Sequence, residues 1–144
     1  MESKKIEFFN KLSFTILLAT IFTSVFFFIP YTPVTLDASK GFLLSIGMAL
    51  SLFFWLIARL GEGRFSFPKE KLLLAGAGIV LVFLVASFFS SSHYVSLFGG
   101  GFEIGTFGSM LILFILFFLS SIYFQTEKRI WQFYGALFLG AFIL

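Results

Sequence analysis

The chain has no cysteine and a single histidine, His93. The first absence excludes disulfides, thiolate metal sites and cysteine nucleophiles. The second leaves too few nitrogen ligands for a zinc-type centre, so neither a metal nor a cofactor is expected. Charge is also scarce. Charged residues make up 12% of the sequence, where an ordinary soluble domain has about 25%. The long apolar stretches contain no Asp, Glu, Lys, Arg or His at all. Proton relays, voltage sensors and many ion pathways need such residues inside the membrane, so nothing here points to a pump or an ion channel.

Apolar residues take the space. They form 59% of the 144 residues, phenylalanine alone contributes 25, and the mean hydropathy is +1.04. A soluble core of this size could not hide that much apolar surface. Lipid accepts it, so the fold class expected is an all-α integral membrane protein, a multi-pass helical bundle. Five apolar runs are visible, at about 12–29, 41–58, 72–89, 108–124 and 130–144. At about 1.5 Å per residue the first four reach roughly 27 Å, close to the hydrocarbon thickness of about 30 Å. Barrel strands would alternate apolar and polar residues, and these runs do not. The expectation is therefore four full transmembrane helices plus the start of a fifth. The fifth run reaches Leu144 without a polar stop, which suggests one transmembrane domain over 1–144 as the N-terminal piece of a longer protein. Lys4, Lys5 and Lys11 precede the first run. It exceeds a signal-peptide core of about 7–15 residues and has no A-x-A site after it, so it reads as a retained anchor.

Nine of the ten Lys and Arg residues fall in the N-terminal tail, the segment from Arg59 to Lys71, and the segment holding Lys128 and Arg129. These alternate with two other connections. One is Pro30–Lys40, with Lys40 as its only base, and the other is Ser90–Phe107, with none. The positive-inside rule makes the basic side cytoplasmic, N-terminus included. The same distribution argues against nucleic acid as a partner, because no basic stripe interleaved with aromatics occurs on a polar face. Membrane lipids are the expected surroundings.

Small residues recur inside the runs: Gly41, Ser45 and Ala49; Thr20, Thr23 and Ser24; Ala75 to Gly78. They suit close helix approach, with a substrate groove as the alternative. The segment SSSHYVSLFGGGFEIGTF carries His93, Glu103 and three consecutive glycines, Gly99 to Gly101. It fits neither the phosphate loop nor G-x-G-x-x-G. His93 and Glu103 could form an acid–base pair, contact a substrate, or be ordinary polar residues of a surface loop. Lys40, beside Asp37 at the mouth of the second run, could hold a phosphate or diphosphate, pair with Asp37, or extend to lipid headgroups. These four residues are the candidate substrate contacts, and no residue is assigned a catalytic role.

Three stretches carry a family resemblance: TLDASKGFLLSIGMALSLFFWLI from Thr35, VASFFSSSHYVSLFGGGFEIGTFGSMLILF from Val85, and TEKRIWQFYG from Thr126. An extended loop ending in Lys at the mouth of a helix that closes on Leu/Trp resembles bacterial O-antigen ligases and the related O-antigen polymerases. A third helix ending in S-x-x-S, followed by S-L-x-G, a glutamate and a new helix, is similar to them too. The resemblance implies transfer of a glycan from a polyprenyl-diphosphate carrier at the outer face of the inner membrane. It implies essential Arg and His residues in a large outer loop nearer the family's C-terminus, with no counterpart in this chain. A transporter or lipid-linked-sugar flippase, and a non-catalytic assembly protein, are the competing readings.

Overall fold

A computed structural model describes residues 2–27, 36–63, 70–99, 103 and 105–143. All regular structure among them is helical: α1 (Glu2–Phe26), α2 (Leu36–Glu62), α3 (Lys71–Phe88), α4 (His93–Phe98), α5 (Phe107–Tyr123) and α6 (Glu127–Ile143). Three helices are long and apolar enough to cross a membrane, over Lys4–Phe26, Ala38–Glu62 and Lys71–Phe88. The expected fourth full span is α5, which has 17 residues, or roughly 25 Å.

Helix ends differ from the apolar runs where polar residues are themselves helix-forming. Helix α1 starts at Glu2 rather than near residue 12, and its first turns carry a Glu7–Lys11 ion pair of 2.7 Å. Glu four residues before Lys is the favourable order on a helix. Helix α6 likewise begins at Glu127, and the Arg129 and Ile130 amides donate to Thr126 O at 3.0 and 3.1 Å. Hydropathy alone sees only the lipid-compatible part of each helix. The connection 28–35, the segment 64–69 with Arg64 and Lys69, Gly100 and Gly101 lie outside the described residues.

Side-chain contacts fix the helix directions. Ser13 meets Ser51 and Asn10 meets Arg59, so α1 and α2 are antiparallel. Gly76 of α3 faces Phe114 and Phe117 of α5, and α4 joins the end of α3, at Ser87, to the start of α5, at Gly108, so these two are antiparallel as well. Arg129 of α6 lies over Phe14 of α1 while Gly140 approaches Val25, so α6 runs parallel to α1. Trp55 packs edge-on against Phe118, joining α2 to α5. Every described basic residue except Lys40 therefore sits toward one end of the bundle.

The α1–α2 seam is the tightest. Ser13 Oγ donates to Ser51 O at 2.7 Å, and Ser51 Oγ returns a bond to Ser13 O at 2.9 Å. Both hydroxyls are buried. One turn further on, a Cβ on Gly47 would overlap the Thr20 side chain, reaching 2.7 Å from its Cβ. The buried positions are Ser13, Leu17, Thr20 and Ile21 on α1, and Ser39, Gly41, Gly47, Met48, Ser51, Trp55 and Ala58 on α2. The steps Ser13–Leu17–Thr20 on α1 and Met48–Ser51–Trp55–Ala58 on α2 alternate fours and threes, as in a heptad seam. The stripe expected from Gly41, Ser45 and Ala49 drifts off this seam: Ala49 is exposed, and Ser45 donates to Gly41 O within its own helix. Leu17, Ile21, Met48, Trp55, Leu119 and Tyr123 complete the core.

Candidate functional site

The four sequence-derived candidates lie toward the end of the bundle opposite the basic one. Lys40, half-buried, sits near the N-terminus of α2. Asp37 is in the same turn, but its side chain lies outside the described residues. His93 opens α4, a short helix in a segment read from sequence as a loop. Its Nδ1 is 3.1 Å from Ser87 O. A carbonyl only accepts, so Nδ1 carries the proton and a neutral ring presents Nε2 as acceptor. Ser96 Oγ donates to Ser87 Oγ at 3.2 Å, and Ser87 Oγ donates to Phe83 O at 2.8 Å. Ser87 of the S-x-x-S segment and Ser96 of S-L-x-G thus tie α4 back onto α3.

Gly99 closes α4 at φ 73°, its amide donating to Val95 O at 2.8 Å. A Cβ in that left-handed conformation would be strained, and would also crowd Glu103 N at 3.2 Å. Glu103 is exposed. Its carbonyl accepts from Thr106 Oγ1 at 3.1 Å, and Thr106 caps α5 by accepting from Ser109 N at 3.3 Å. His93 and Glu103 are thereby held in one folded unit of α3, α4 and the start of α5. Helix α4 packs on α3 and α5 and makes no comparable contact with α2. Lys40 and His93 share an end of the molecule, and neither cavity described next includes Lys40, His93 or Glu103.

Two cavities occur in the other half. A polar one of about 640 Å³ at the basic end is enclosed by α1, α2, α6 and the end of α5. Arg59 donates from Nη1 to Glu62 Oε2 at 2.5 Å and from Nη2 to Asn10 Oδ1 at 3.2 Å. Its guanidinium lies 5.9 Å from the Trp55 ring centroid. Arg129 donates to Tyr123 O at 3.3 Å and lies over the rings of Phe14 and Tyr123, at 5.1 and 5.6 Å. An apolar groove of about 820 Å³ runs between α2, α3 and α5, lined by Leu52, Leu56, Leu74, Phe114 and Phe118. Trp55 lines both.

Sequence reasoning used Arg59 and Arg129 only as topology markers. The signal it passed over is that both are arginine, Arg59 one helical turn after Trp55 and Arg129 six residues after Tyr123. A planar guanidinium stacks on rings in a way an ammonium does not. Among the described residues no group of three or more His, Asp or Glu is placed to hold a metal ion. No family model, curated protein or solved structure matches the chain.

Proposed function

We propose that this chain is a multi-pass protein of a bacterial inner membrane, with its basic end and N-terminus in the cytoplasm. We further propose that it acts on glycans carried by a polyprenyl diphosphate, in the manner of O-antigen ligases and polymerases. One observation carries the membrane reading: the helices expose large apolar side chains outward, such as Leu74, Val82 and Phe89 at 79%, 67% and 87%, while basic residues collect at one end. In water that apolar surface would drive association; in lipid it has no such cost. The substrate class is supported by the resemblance of the segments from Thr35, Val85 and Thr126, and the residues proposed to touch the carrier are Asp37, Lys40, His93 and Glu103.

Cysteine introduced at Ser66 and at Ser92 tests the orientation. A membrane-impermeant reagent on intact cells should label position 92 and leave position 66 untouched, and the reverse pattern would refute the topology. For the substrate, Lys40→Ala should weaken diphosphate-carrier binding by about 1 kcal/mol, the scale of one charge-assisted contact that is partly solvated. His93→Ala should cost less, because Nδ1 is already engaged with Ser87 O and only Nε2 is left for a ligand. Unchanged carrier binding and glycan transfer in the Lys40 variant, at matched expression, would remove Lys40 from the substrate site.

A further inference from the structure

The polar cavity at the basic end is rich in hydrogen-bond donors. Its two carboxylates are engaged: Glu62 with Arg59 at 2.5 Å, and Glu7 with Lys11 at 2.7 Å. Arg129 has no carboxylate partner among the described residues; it rests on aromatic faces and one backbone carbonyl. Arg59 Nε is buried without a hydrogen-bond partner, and the phenol oxygen of Tyr123, a residue only 3% exposed, has only Ser13 beside it. Ser13 gives its proton to Ser51 O, so toward the phenol it can act only as an acceptor. Asn10 accepts from Arg59 through Oδ1, which turns its amide nitrogen into a further donor.

We infer that this cavity is a binding site for a phosphate-bearing group, held by Arg129 and Arg59 with Tyr123 and Asn10. A tetrahedral oxyanion supplies acceptors for these donors, and arginine forks match its geometry. The volume of about 640 Å³ leaves room for a phosphodiester headgroup. The source of the phosphate is either a phospholipid headgroup or a free phosphate. For a lipid, the apolar groove on the other side of Trp55 offers a place for an acyl chain. The inference stands on the fold and its charges and is independent of the glycan reading, whose residues lie at the opposite end.

The test uses the purified whole chain in nanodiscs of phosphatidylcholine, with and without phosphatidylglycerol. Retained lipid is measured by native mass spectrometry, and inorganic phosphate is titrated against tryptophan fluorescence, to which Trp55 contributes. Wild-type protein should retain phosphatidylglycerol over phosphatidylcholine or respond saturably to inorganic phosphate. The first result assigns the site to a headgroup, the second to free phosphate. Arg129→Gln should weaken either by about tenfold, the scale of a hydrogen-bonded charge contact. Tyr123→Phe, which removes one oxygen and keeps the ring packing, should weaken it by a few-fold. Lys128→Gln deletes an equal charge on an exposed neighbour outside the lining and should bind as wild type. Equal losses in the Lys128 and Arg129 variants would reduce the effect to general surface charge and overturn the site. So would wild-type binding in the Tyr123 variant, which decides the matter alone should the Arg129 variant fail to assemble.

Discussion

Helices α2 and α3 are both apolar along their length, yet 33% of the first apolar stretch is buried within the protein and only 11% of the second. The difference follows small residues rather than hydrophobic ones. Helix α2 presents Gly47, Ser51 and Ala58 along one seam, and α1 comes close enough for reciprocal serine bonds. Helix α3 packs Ala75 to Gly78 into a single turn. There a Cβ on Gly76 would come within 3.2 Å of the Phe114 ring, while one on Gly78 would meet nothing within 4 Å. Where lipid is the solvent, apolar surface has no preference for the protein interior. Close backbone approach and interhelical hydrogen bonds select neighbours instead.

The sharpest way to break the comparison is a matched pair of substitutions. Gly47→Val should cost about 2–3 kcal/mol through overpacking against Thr20. Gly78→Val should stay within about 0.5 kcal/mol, as at open surface positions. Reversible unfolding in mixed detergent micelles, followed by circular dichroism, measures both. Comparable losses at the two sites would mean that α3 is as tightly enclosed as α2.

Next in size is the serine pair. Ser13→Ala and Ser51→Ala should each cost about 1 kcal/mol, with a coupling near 0.6 kcal/mol in the double-mutant cycle, as for interhelical hydrogen bonds in other membrane proteins. Additive effects in the same unfolding assay would leave the two hydroxyls energetically independent. Smaller globally, because it acts on one helix end, is Thr106→Ala. Losing this cap should destabilise α5 by about 1 kcal/mol. Hydrogen exchange should show it as faster amide turnover confined to the first turn of α5 and its contact with α4.

Helix existence was legible in the sequence because lipid-compatible runs without charge leave few alternatives, and the runs at 41–58 and 72–89 fall inside or almost on α2 and α3. The rest was hidden for identifiable reasons. Hydropathy is blind to polar residues that continue a helix, so the first turns of α1 and α6 were missed. Helix α4 is six residues long, and its stability comes from Ser87, Ser96 and His93 meeting across a turn, which no periodicity reports. The four-residue stripe in α2 shares Gly41 with the seam and drifts off it by Ala49, since the seam advances by sevens. The polar cavity is assembled from four helices, and no local segment carries its signature.

The parallel alignment of α1 and α6 has a consequence for synthesis on the ribosome. The α1–α2 hairpin joins consecutive helices and can close as soon as α2 has emerged. The other face of α1, where Phe22 and Val25 receive Gly140, cannot be covered until nearly all of the described chain has been made. For that interval the first helix is a half-finished wall. A translation pause or early stop before Gly140 would leave an assembled hairpin displaying a strip shaped for a helix that never arrives.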